Sequence, residues 1–210
     1  MRKSNIVILG IIVLSFCLSI FFYDKMPDKM ATHWGFSGEA NGYSGKAFGL
    51  FFMPGLLVVL ALMFFLIPRI DPLKVNIEKF RNYFDGFIIL IFLFMLFLQL
   101  FIMFWNIGIK ININFSMPIA FAILLFYIGI MLEKVKKNWF IGIRTPWTIS
   151  NDKVWDKTHK LGSKLFKIAA ALSLLGAVFY RYSWAFVLAP IILFSIYLVF
   201  YSYFEYKKIK

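Results

Sequence analysis

Six long apolar runs, at residues 6–23, 48–67, 87–105, 115–132, 164–180 and 183–203, leave this chain little choice of fold. A helix needs roughly 20 apolar residues to cross a bilayer core, and in hydrocarbon each backbone polar group must be satisfied within the protein. Five runs are that long or nearly so. The fifth has an uncharged stretch at 168–180, about 20 Å as helix. It spans only if Lys164 and Lys167 extend to the interface. A chain that is 61% hydrophobic with 27 phenylalanines is no ordinary water-soluble domain. The expected fold is all-α: a polytopic protein of the cell membrane with six transmembrane helices.

Charge sets the expected orientation. Eighteen lysines and arginines fall before span 1, between spans 2 and 3, between spans 4 and 5, and after span 6; five fall on the other side. The positive-inside rule then makes both termini cytoplasmic. The net charge of +13 needs no nucleic-acid partner, because most of it sits where anionic lipid headgroups lie. Tyr23-Asp24-Lys25-Met26-Pro27 lacks a small-x-small cleavage pattern, so span 1 is expected to be retained. The single cysteine, Cys17, excludes an internal disulfide and is expected to pack within span 1.

The chain divides into an N-terminal transmembrane hairpin, 1–67, with a structured outside loop at 24–47, and a four-helix domain, 68–210, with a cytoplasmic loop at 133–163. Pro68 and Pro72 argue against one helix running from span 2 through the first inside loop, and 74–86 is expected to form a short amphipathic lead into span 3. No span carries Asp or Glu in its central part, which argues against an ion-coupled pump. Gln99 either bonds across to another helix or is a tolerated polar residue beside a neighbour; the second is the simpler expectation.

Two polar segments break the apolar pattern. Outside, residues 26–46 read MPDKMATHWGFSGEANGYSGK. The glycines favour turns, and Asn41-Gly42 is a strong turn signal. His33, Trp34, Glu39 and Tyr43 are candidate ligand- or peptide-binding residues. His33, Glu39 and Asp28 offer nitrogen and oxygen donors, but in no recognised metal-binding spacing. Trp34 and Tyr43 also suit anchoring at the interface, with His33 bracing the loop.

Inside, residues 139–162 read WFIGIRTPWTISNDKVWDKTHKLG. Lys153, Lys157, Lys160, Lys164 and Lys167 recur at helical spacing, while Trp155, His159, Gly162 and Phe166 form another face. This predicts an interfacial helix that bends or runs into span 5, with Trp155 and Phe166 packed inward. Thr148, Ser150 or Asn151 caps it. Gly162 marks the bend or a close helix contact. Arg144 needs an acceptor; Asp152, Asp156, Glu133 or a lipid phosphate can serve. Asp156 and His159 can pair. No nucleophile setting, phosphate-binding glycine loop or paired-histidine metal spacing is present, so no catalytic residue, metal or cofactor is assigned. The candidate cytoplasmic residues are Trp139, Gly142, Arg144, Thr145, Pro146, Trp147, Trp155, Asp156 and His159.

Trp139, Gly142, Ile143, Arg144, Thr145, Pro146, Trp147, Thr148, Ser150, Trp155, Thr158, His159 and Gly162 resemble the signature of the SdpI family of bacterial membrane proteins. Met26-Pro27, His33-Trp34, Gly38, Gly42-Tyr43 and Lys46 resemble the small uncharacterised domain often found ahead of it. The resemblance implies immunity to a secreted antimicrobial peptide. It also implies signal transduction in which a cytoplasmic transcriptional repressor is held at the membrane. The implied partners are membrane lipids, the peptide outside and the repressor inside, with no direct contact to nucleic acid.

The leading expectation is therefore a non-enzymatic immunity or receptor-like protein. Two alternatives stand beside it. One is an enzyme or transporter acting on lipid-like material at the cytoplasmic interface, using Arg144, the lysine face and Asp156–His159. The other is a structural membrane subunit.

Overall fold

A computed structural model describes residues 2–209. Met1 and Lys210, the outer ends of the two expected domains, lie outside the described residues. The element order is α1 (Lys3–Phe22), β1 (Lys29–Trp34), β2 (Ala40–Gly45), α2 (Lys46–Ile70), α3 (Lys74–Glu78), α4 (Arg81–Asn106), α5 (Ile113–Lys134), α6 (Pro146–Ser150), α7 (Asp152–Val178) and α8 (Ser183–Lys207). Among the described residues, six helices are long and apolar enough to cross a membrane: α1, α2, α4, α5, α7 and α8. The protein is a multi-pass membrane protein with an all-α fold, to which a small β-hairpin adds an end structure.

α4 is the central helix. Phe84, Ile88, Phe92, Leu96, Gln99 and Met103 are buried along one stripe, at the three-to-four-residue spacing that keeps side chains on one helix face. Phe84, Ile88 and Phe92 pack in one core with Leu57 and Ile67 of α2, Met131 and Leu132 of α5, and Trp155 of α7. α7 lies close against α5 because small residues line the contact. A methyl group added at Gly129 would fall 2.7 Å from Lys167 Cγ and 3.0 Å from the Ser163 carbonyl oxygen. Small side chains let transmembrane backbones approach and gain dispersion energy where no hydrophobic force separates helix from lipid.

Gln99 corrects the simpler expectation: it bonds across to α1. Its Oε1 accepts from the Ser15 hydroxyl at 2.5 Å, and its Nε2 donates to the Ser15 carbonyl and to Ser19 Oγ, both at 2.9 Å. Ser19 then donates to the Leu50 carbonyl of α2 at 2.6 Å. Three buried side chains thus link three helices at membrane depth. In hydrocarbon, an unpaired amide has no water to fall back on. Cys17 departs from its expected packing: it is exposed on the outer surface of α1.

The turns differ in detail from the sequence expectation. α2 continues through Pro68 and ends at Ile70, so the break falls between the two prolines. Asn41-Gly42 lies within β2; the turn is at residues 36–38, where Gly38 takes φ +87°. Gly42 instead allows close strand approach, since a methyl there would meet His33 Cβ at 2.8 Å. The expected interfacial helix and span 5 form one continuous helix, α7. Gly162 marks no break in it. The Ile143 side chain closes over it, with an added methyl falling 2.5 Å from Ile143 Cδ1.

Candidate functional site

The segment between α5 and α7 is built around buried polar side chains. Asn138 is fully buried. Its Oδ1 accepts from the Phe140 and Ile141 amides at 2.9 and 2.6 Å. Its Nδ2 donates to the carbonyls of Lys136 and Ile141 at 2.8 and 2.9 Å. One side chain thereby supplies partners to a loop with no regular secondary structure of its own. Asp71, from the connection after α2, is also buried; it accepts from the amides of Leu73 at 2.6 Å and Trp139 at 2.9 Å. Asn76 donates to the Lys137 carbonyl at 2.9 Å. The connections after α2 and after α5, far apart in sequence, are therefore one structure.

His159 closes the same loop from α7. Its Nε2 accepts the Ile143 amide at 2.9 Å, and its Nδ1 lies 2.8 Å from the Trp155 carbonyl. Nε2 must carry a lone pair to accept, so the ring is neutral with its proton on Nδ1. The Trp155 ring stacks on the imidazole at 4.0 Å between centroids and donates from Nε1 to the Val135 carbonyl at 3.3 Å. Gly142, at φ +112°, permits the approach. A methyl there would fall 2.5 Å from His159 Nε2 and 3.4 Å from Trp155 Cζ2.

The Thr145-Pro146 step starts α6 with reciprocal caps. The Thr145 amide donates to Thr148 Oγ1 at 2.9 Å and the Thr148 amide to Thr145 Oγ1 at 3.2 Å, with Pro146 in the first turn, where its missing N–H costs nothing. Thr145 Oγ1 also lies 2.9 Å from Ser202 Oγ of α8, and Trp147 packs on Tyr203 at 5.0 Å. Asn151 is the cap of α7, its Oδ1 accepting from the amides of Lys153 and Val154 at 2.9 and 3.2 Å.

Not every candidate joins this constellation. Arg144 is exposed and donates to the Trp139 carbonyl, rather than to a carboxylate. Asp156 is exposed and does not pair with His159, both of whose ring nitrogens are engaged elsewhere. Pro146 is exposed; Trp139 is 49% exposed beside Phe140 at 38%, so this end of the loop presents aromatic surface and one guanidinium. The lysine face is partly neutralised: Lys157 pairs with Glu205 and Lys167 with Glu133, each at 2.6 Å.

At the other end, the hairpin lies over the bundle. Met30 and Ala31 are buried, and the Asn106 side chain of α4 pairs with both backbone groups of Ala31, at 2.8 and 2.9 Å. Trp34 is half-buried against Phe101 and Trp105, with centroids 4.9 and 5.5 Å apart. His33, Glu39 and Tyr43 remain exposed, and His33 Nδ1 lies 2.6 Å from Asn41 Oδ1. Among the described residues, His33, Glu39 and Asp28 do not gather into a metal-binding group. Asn114 joins this end to α8, donating to the Phe36 carbonyl and accepting from Trp184 Nε1, both at 3.1 Å.

Sequence reading missed Asn138, Asp71, Asn76 and Ser202. The Asp71-Pro72 step in the connection after α2 was a usable signal, since a carboxylate there can accept from following amides. Asn138 among charged and aromatic neighbours gave no periodicity to read.

Fold and site together define a multi-pass membrane protein with a built polar structure at each end of its bundle. Residues 134–203 match the model of the SdpI/YfhL protein family, and residues 10–58 match that of a domain of unknown function, DUF1648. The chain is similar to the immunity protein SdpI of Bacillus subtilis (strain 168), at 26% identity over 166 residues, or 79% of this chain and 77% of that protein. No solved structure matches.

Proposed function

We propose that this is an integral-membrane immunity protein that protects against, or senses, a secreted antimicrobial peptide. The observation that carries the reading is the similarity to an immunity protein along 79% of the chain. In this reading the termini and the 133–163 loop are cytoplasmic and the β-hairpin faces outward, as the charge asymmetry favours. Residues 1–67 form the receiving hairpin, with His33, Glu39 and Tyr43 as its open surface. Residues 68–210 form the responding domain, and the exposed Trp139, Phe140 and Arg144 are the surface that holds a cytoplasmic repressor. The Asn106–Ala31 and Asn114–Phe36 bonds support this division of labour, because they join the hairpin directly to α4 and α5.

Chemistry at the inside loop gains little support. His159 is committed to backbone partners, and Asp156 does not face it as a proton-handling mate. Deletion of the gene in its native host, followed by challenge with the peptides that host and its neighbours secrete, tests the reading. Sensitivity should rise toward at least one peptide and be reversed by the restored gene. Unchanged survival against all of them would remove immunity as the function.

A further inference from the structure

A cleft of about 1190 Å³ lies between α1, α2 and the start of α4. That exceeds the ~300–1,000 Å³ of most small-molecule sites. Its walls are apolar, formed by Ile8, Ile12, Val58, Ala61 and Phe65. Its rim is charged, with Arg2, Arg69, Arg81, Glu78 and Asp85.

The rim charges are not equivalent. Arg81 pairs with Asp85 at 2.6 Å and with Glu78 at 3.4 Å, and Arg2 pairs with Glu78 at 2.6 Å and Asp85 at 3.8 Å. Both carboxylates are thereby used. Arg69 has no carboxylate partner among the described residues. It donates from Nη1 to the Phe65 carbonyl at 2.5 Å, and its guanidinium lies 3.5 Å from the Phe65 ring centroid. Its planar group keeps further donors free in a fixed orientation, the geometry that suits a phosphate.

We propose that this cleft binds an anionic phospholipid, with the phosphate on Arg69 and the acyl chains along the apolar walls. Charge complementarity selects the headgroup. One cation at the rim is unneutralised, while no carboxylate is left over for the ammonium of a zwitterionic lipid. The position also fits, since Arg69 lies in the last turn of α2, where the apolar run of that helix stops. This inference does not depend on the immunity reading.

Native mass spectrometry of the full-length protein, with phosphatidylglycerol and phosphatidylcholine of equal chain length, tests it. The wild type should retain phosphatidylglycerol preferentially. Arg69→Gln should lower that retention about fivefold, the weight of one arginine near an anionic surface, and narrow the preference over phosphatidylcholine. Ala61→Phe, which fills the cleft, should lower retention of both lipids, and Arg181→Gln at the opposite end should change neither. Equal retention of the two lipids by the wild type would overturn the proposal. So would wild-type phosphatidylglycerol retention in folded Arg69→Gln or in folded Ala61→Phe, so loss of folding in one variant leaves the other to decide.

Discussion

His159 accepts the Ile143 amide at 2.9 Å, and Gly142 is the residue that lets the chain come that close. A side chain at 142 would need both a left-handed backbone and space already held by the imidazole. Gly142→Ala should therefore destabilise the protein by about 1–3 kcal/mol, the usual cost of such strain. Thermal unfolding in detergent would show it, and an unchanged midpoint would mean the loop rearranges freely.

His159→Phe keeps a ring to stack on Trp155 but removes the acceptor for the Ile143 amide. A buried unsatisfied N–H costs about 1–3 kcal/mol. Hydrogen exchange at Ile143 should accelerate, with α7 itself remaining protected. In the wild type, imidazole nitrogen chemical shifts should report the tautomer protonated on Nδ1; a proton on Nε2 would contradict the Ile143 bond.

Asp71→Ala removes the acceptors of the Leu73 and Trp139 amides together. Asn138→Ala removes four bonds from the loop core. Both substitutions should expose residues 136–144 to limited proteolysis while the six helices persist by circular dichroism. If cleavage there stays as slow as in the wild type, these side chains do not hold the loop.

Gln99→Leu strands the Ser15 hydroxyl in an apolar interior and removes the donor to Ser19 Oγ, which keeps its own bond to the Leu50 carbonyl. Interhelical bonds in membrane proteins are worth about 0.6 kcal/mol each, up to about 1.7, so the loss should be roughly 1–3 kcal/mol. Ser15→Ala combined with Gln99→Leu should cost less than the two single losses added, because both remove the same contact. Strict additivity would show that the pair is not coupled.

Orientation can be read by cysteine labelling in a Cys17→Ser background. Ser37→Cys, in the hairpin turn, should react with an impermeant maleimide in intact cells. Ser150→Cys, at the end of α6, should react only after permeabilisation. The reverse pattern would invert the proposed topology and the roles assigned to the two ends.

The apolar runs by themselves determined six helices in a membrane, because unbroken apolar runs of that length satisfy their backbone in hydrocarbon as helices, whereas barrel strands are about half as long and alternate in polarity. Helical spacing also placed Trp155 and His159 on one inward face, and lysines on another. What the tertiary structure decided was partnership. Gln99 became a clamp to α1, Asp71 joined the loop after α5, and Asp156 was left apart from His159. Trp34 turned into the bundle while Tyr43 stayed exposed. Hydrophobic periodicity reports only which face of an element is buried, and it carries no information about which distant amide or hydroxyl a polar side chain will meet. Those meetings depend on how closely the helices approach. Here Gly129 lets α5 approach α7, and Gly142 and Gly162 let the loop after α5 approach α7, positions where the absence of a side chain matters only once a neighbour is in place.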